Sequence, residues 1–96
     1  MTKDLQSDKT TIHMVIHGRV QGVFYRDSMH REAQKNSITG WVRNCVDGTV
    51  KAIIHGKPSA VNALVRWAHD GPQYAHVEHI EITPNEGSYT KFEVIR

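Results

Sequence analysis

The residues with the clearest chemical potential lie in one short run, Gly18-Arg19-Val20-Gln21-Gly22-Val23-Phe24-Tyr25-Arg26. Two glycines and an arginine stand there between an extended-looking segment and a helical-looking one. The first amides of a helix have no intrahelical partners, and the helix dipole adds partial positive charge at that end. A glycine-bearing loop feeding such an end is therefore suited to holding an anion. Successive loop amides turned inwards make a nest for several oxygens. The candidate donors are the backbone amides of Gln21, Gly22, Val23, Phe24, Tyr25 and Arg26. Arg26, in the first helical turn, can fold its guanidinium back and fork two anion oxygens. The plainer reading is a loop glycine pair beside a solvated helix arginine, and these residues alone leave both open.

Other reactive side chains point to less. The phosphate motif GxxxxGK[ST] and the dinucleotide motif GxGxxG are both absent. Asn44 offers a primary amide, yet an Asn three positions before Asp47-Gly48 also reads as turn preparation. Among seven histidines, His13 and His17 share a strand face, and His76 and His79 are three apart. Zinc requires three or four convergent ligands, so no metal site is expected and the histidines are read as solvated. They make net charge rise below about pH 6.5. Cys45 has no nearby group to stabilise a thiolate and is read as a small hydrophobe.

The elements that must position these groups follow from periodicity. Ile12, Met14 and Ile16 alternate with His13, Val15 and His17, which predicts a half-buried strand ended by Gly18. Tyr25 to Asn36 reads as a helix with Tyr25, Met29 and Ala33 on one stripe. Thr39 to Val46 and Thr49 to His55 read as strands joined at Asp47-Gly48, the signal for a type I′ hairpin turn. Pro58 opens a second helix carrying Val61, Leu64, Val65 and Ala68, ended near Gly71-Pro72. Strands over Val77 to Ile82 and Phe92 to Ile95 complete the order. Trp41, Trp67 and Phe92 are expected to pack. The predicted fold is α+β: a ferredoxin-like split βαβ sandwich, βαββαβ plus a short C-terminal strand. Two helices cover one face of a mainly antiparallel sheet.

Composition narrows the classes. Ninety-six residues at 39% hydrophobic and 23% charged make one ordered domain. About 60–65% of the chain's surface is buried on folding at this size, which excludes a two-domain cofactor enzyme. A net charge of +2 is too small a footprint for nucleic acid. A single cysteine allows no intrachain disulfide and points to a reducing, cytoplasmic setting. Residues 1–10 are polar, lack a signal-peptide core, and are expected to be a flexible tail before a domain over 11–96. No apolar run approaches the roughly 18 residues of a membrane span.

The run from Gly18 to Arg26 closely resembles the first signature of the acylphosphatase family. A second signature follows at Gly40-Trp41-Val42-Arg43-Asn44, with Gly48, Val50 and Gly56 at further family positions. The resemblance implies hydrolysis of a small acyl phosphate to carboxylate and inorganic phosphate by a positioned water, without metal or organic cofactor. It implies that Arg26, last in the first motif, binds the phosphoryl group with the loop amides from Gln21 to Arg26. It implies that Asn44, last in the second, orients the attacking water. A monomer is expected, with no nucleic-acid or membrane partner. RNA-binding domains of the same plan stack bases on aromatics of the central strands; the segments 12–16 and 50–54 carry none. An inactive interaction domain would lack Arg26 or Asn44, and both are present. Membership in a larger multidomain enzyme is not expected from a chain starting at Met1.

Overall fold

The computed structural model describes residues 8–96. The order is β1 (Thr10–Arg19), α1 (Tyr25–Lys35), β2 (Thr39–Asn44), β3 (Val50–Gly56), α2 (Pro58–Asp70), β4 (His76–Pro84) and β5 (Phe92–Ile95). The strands form one sheet in the order β4-β1-β3-β2-β5. Only β2 and β5 run parallel; the other pairs are antiparallel. β3 thus separates β1 from β2, which makes β1-α1-β2 the first split βαβ unit. The predicted α+β, ferredoxin-like plan is the observed one.

The core lies between the sheet and both helices. Met14 and Ile16 of β1, Val42 of β2 and Ile54 of β3 are fully buried on the helix side. Tyr25, Met29 and Ala33, the expected stripe of α1, are buried too, as are Val61, Leu64 and Ala68 of α2. Each such Val, Leu, Ile or Met side chain contributes about 1.5–3 kcal/mol on burial. Phe92 joins this core, and Trp67 packs at its margin. Trp41 sits half-buried on the opposite sheet face, with the Arg43 guanidinium 5.6 Å from its ring centre.

Two boundaries differ from the periodicity reading. β1 does not stop at Gly18 but continues to Arg19 across a bulge between His17 and Gly18. Gly18 has φ 129°, and a Cβ there would collide with the His76 carbonyl. Close strand approach, not strand termination, is the reason for that glycine. The hairpin is also not type I′. Cys45 and Thr49 pair through Cys45 N–H to Thr49 O at 2.9 Å, and Gly48 N–H reaches Cys45 O at 3.1 Å. Gly48 has φ 93°, while Asp47 is not left-handed. A three-residue loop ending in a left-handed glycine is the next commonest hairpin solution. Asp47 selects it by accepting the Thr49 N–H at 3.0 Å and the Thr49 hydroxyl at 2.6 Å. Those hydrogen bonds, the hydroxyl's first, hold the Asp47 carboxyl below its ordinary pKa. As a result β2 ends at Asn44 rather than Val46. Of the expected tail, residues 1–7 lie outside the described residues, and Thr10 is already in β1, paired with Gly56.

Candidate active site

β1 hands over to α1 through residues 20–24, and that junction is built to leave amides free. Val20 is buried and anchors the loop. Gly22 has φ 76° and Phe24 has φ 65°, so the backbone turns left-handed twice in three residues. A left-handed phenylalanine is a costly conformer, of order 1–3 kcal/mol, kept only where its surroundings impose it. Phe24 occupies the N-cap of α1 and supplies no side-chain cap. Among the described residues, no amide from Gln21 to Arg26 donates a turn, loop or cap hydrogen bond. The helix start is an unsatisfied donor array facing a cavity of about 250 Å³.

Arg26 and Asn44 both line this cavity, together with Val20, Gly22, Phe24, Tyr25, Asp27 and Arg96. The two residues singled out in separate motifs therefore meet, because α1 begins and β2 ends at the same end of the sheet. Of the six expected amide donors, Gly22, Phe24, Tyr25 and Arg26 lie on the cavity wall, whereas Gln21 and Val23 do not. The Gln21 side chain is turned to another task. Its Nε2 donates to Cys45 O at 2.8 Å and to Thr49 O at 3.0 Å. This ties the loop to the turn immediately after Asn44, so that the two halves of the cavity share one brace.

Three further groups set the electrostatics. Arg26 Nη1 donates to Ile95 O at 3.0 Å, which fixes the guanidinium beside β5. Arg96 Nη2 donates to Asp27 Oδ1 at 2.7 Å. The Arg96 hydrogen bond is the main cause of a lowered Asp27 pKa; desolvation opposes it, and the charges of Arg96, Arg26 and Arg31 add to the lowering. Two guanidiniums and the helix start thus face one carboxylate that is already engaged, and the balance favours an oxyanion. Tyr25 is not available for proton transfer: its hydroxyl donates to Ala68 O at 2.7 Å, and burial pushes its phenol well above the ordinary value. It anchors the first turn of α1 against α2, with Trp67 5.4 Å away ring to ring. The sequence reading missed Arg96, Asp27 and the Gln21 brace. Asp27 and Arg96 stand 69 positions apart, and no local pattern links them.

The model of the Acylphosphatase family matches residues 12–94. The chain belongs to the acylphosphatase family. It is 52% identical to an acylphosphatase of Thiobacillus denitrificans, over 86% of this chain and 93% of that one. Its structure resembles that of an acylphosphatase from Coxiella burnetii with a TM-score of 0.90 at 32% identity, covering 94% of this chain and 96% of that chain. An acylphosphatase from Bacillus subtilis superposes with a TM-score of 0.86 at 28% identity, over 90% and 98% of the two chains. The acylphosphatase resemblance read from two motifs in the middle of the chain therefore extends through β4 and β5.

Proposed function

We propose that this chain hydrolyses acyl phosphates, with Arg26 and the amides at the start of α1 holding the phosphoryl group and Asn44 positioning the water. The carrying observation is the convergence of Arg26, Asn44 and an uncapped helix start on one cavity. Water oxygen attacks phosphorus, and the bond from phosphorus to the acyl oxygen breaks with its electrons leaving on the carboxylate. The water proton passes to a phosphoryl oxygen, so the products are a carboxylate and inorganic phosphate. A carboxylate is a good leaving group and needs no strong general acid. Phosphoryl transfer asks mainly for positioning and for neutralisation of the equatorial oxygens. Arg26, fixed by Ile95 O, supplies the neutralisation in advance of the reaction. Asp27 is held by Arg96 and Tyr25 is buried, which supports the substrate phosphate itself as proton acceptor.

The same reading takes the functional unit as the domain expected over 11–96, with Thr10 of β1 added at its start, and the family match over 12–94 supports it. It also takes the working unit to be a monomer. The lone Cys45 supports a cytoplasmic location. No helix of the described residues is long and apolar enough to cross a membrane. The deciding assay is phosphate release from synthetic benzoyl phosphate with a large excess of chelator. Sustained turnover is expected; no turnover, or turnover abolished by chelation, overturns the reading.

A further inference from the structure

On the sheet face away from the helices, strand pairing assembles a group that the sequence keeps apart. His17 on β1 is the register partner of His79 on β4, and Glu81 follows His79 by two positions on the same face. The two imidazoles stack with centroids 4.1 Å apart and planes 10° apart. Glu81 Oε2 lies 2.7 Å from His17 Nε2 and 4.0 Å from His79 Nε2. One ligand-capable atom from each residue lies within 4.8 Å of the others. None of the three lines the Arg26 cavity.

We propose that His17, His79 and Glu81 form a binding site for a divalent transition-metal ion of the zinc class, separate from the catalytic cavity. Two imidazoles and one carboxylate are a donor set suited to zinc, with solvent completing the coordination. Each imidazole has one ring nitrogen able to offer an in-plane lone pair to an ion. The Glu81 carboxylate supplies the negative charge, and its 2.7 Å hydrogen bond with His17 Nε2 gives way to the ion on binding. Zinc bonds of about 2.0–2.1 Å bring tetrahedral donors roughly 3.3 Å apart. The 4.0 Å separation of His79 from Glu81 must therefore close and the 2.7 Å contact of His17 with Glu81 must open, each by somewhat more than about half an ångström, and both rings must rotate so that their in-plane lone pairs converge. The side chains have that freedom, being 28% exposed at His17, 61% at His79 and 59% at Glu81.

The position gives the site a mechanical consequence. His17 is the last residue before the β1 bulge, just upstream of the phosphate loop, and β4 is an edge strand. An ion here cross-links the edge strand to the strand that feeds the loop. Binding to the folded state alone shifts the folding equilibrium about 100-fold at an ion concentration 100 times Kd.

The test is calorimetric titration of zinc into chelator-stripped, untagged protein, with thermal unfolding in parallel. One zinc per chain, a rise in Tm, and at least tenfold weaker binding in both His79→Ala and Glu81→Gln are expected. His76→Ala, changed on the same strand but outside the cluster, keeps wild-type affinity. Far-UV circular dichroism establishes that each variant is folded, and Glu81→Gln preserves side-chain shape. Absence of saturable binding below millimolar zinc overturns the proposal. So does zinc affinity unchanged in His79→Ala and Glu81→Gln. These readouts do not depend on turnover, so they stand apart from the hydrolysis assay.

Discussion

The fold contains two strand-to-helix junctions of the same topology, and they differ completely in what they can hold. From β1 to α1 the chain takes five residues, turns left-handed at Gly22 and Phe24, and places Arg26 in the first turn. From β3 to α2 it takes one residue, Lys57, in extended conformation, and Pro58 opens the helix. Proline at that position removes a donor and fixes the entry angle. Neither helix has a side-chain cap. Only the first junction therefore pairs free amides with a turned loop and a cation. A helix start by itself is common; loop length, left-handed residues and a guanidinium convert one of the two into the proposed phosphate cradle.

Removing the cation should erase the contrast most completely. Arg26→Ala is expected to lower kcat/KM for benzoyl phosphate by at least about 10³-fold, and to abolish competitive inhibition by phosphate. An Arg26→Ala protein that still binds phosphate would show that the amides suffice and the guanidinium does not matter. Asn44→Ala separates the two roles within the cavity. A fall in kcat of about 10²–10³-fold is expected, with the inhibition constant for phosphate nearly unchanged. A folded Asn44→Ala enzyme with wild-type turnover would remove Asn44 from the mechanism.

The brace is the next smaller test. Gln21→Ala removes one hydrogen bond from each of the Cys45 and Thr49 carbonyls, which keep their backbone donors Gly48 N–H and Cys45 N–H. A stability loss of about 1–3 kcal/mol is expected, read as a lower Tm, with a loosened loop raising KM more than it lowers kcat. The corresponding substitution at the second junction, Lys57→Ala, should leave KM unchanged.

The smallest effect lies on the sheet and tests whether pH acts there or at the cradle. Burial first, and then the charges of Lys51 and Arg43, lower the His13 pKa from the ordinary 6.5. Folding thus favours the neutral ring. The unfolded chain takes up a proton as pH falls below about 6.5 while the folded chain does not, so the stabilising effect is present above that pH and declines below it. His13→Gln is expected to flatten the slope of stability against pH between about 6.5 and 5. The phosphate inhibition constant should not respond to the substitution. An unchanged slope would place the titration elsewhere.

Much of this architecture was legible because it is local. Alternation at Met14 and Ile16, the Tyr25–Met29–Ala33 stripe and the Val61–Leu64–Ala68 stripe follow from the periods of strand and helix, and those residues are buried. The turn at Asp47-Gly48 was legible in place but not in type, since the Thr49 hydrogen bonds to Asp47 decide it. Gly18 was read as a terminator when its reason is the His76 carbonyl on another strand. Arg26 and the loop amides were visible as a possible anion site from spacing alone, while Asn44 gained weight only from the second motif.

The amino-acid sequence by itself determined the elements, the apolar faces, the uncapped loop before α1 and the family. Those depend on periodicity, backbone preference and short motifs, which act over a few neighbouring residues. Tertiary structure alone decided that Asn44 meets Arg26, that Ile95 O fixes the guanidinium, and that Arg96 neutralises Asp27. It alone stacked His17 on His79. These pairings depend on which strands lie side by side and in what register, and such long-range hydrogen bonds leave no periodic trace in either partner's own segment.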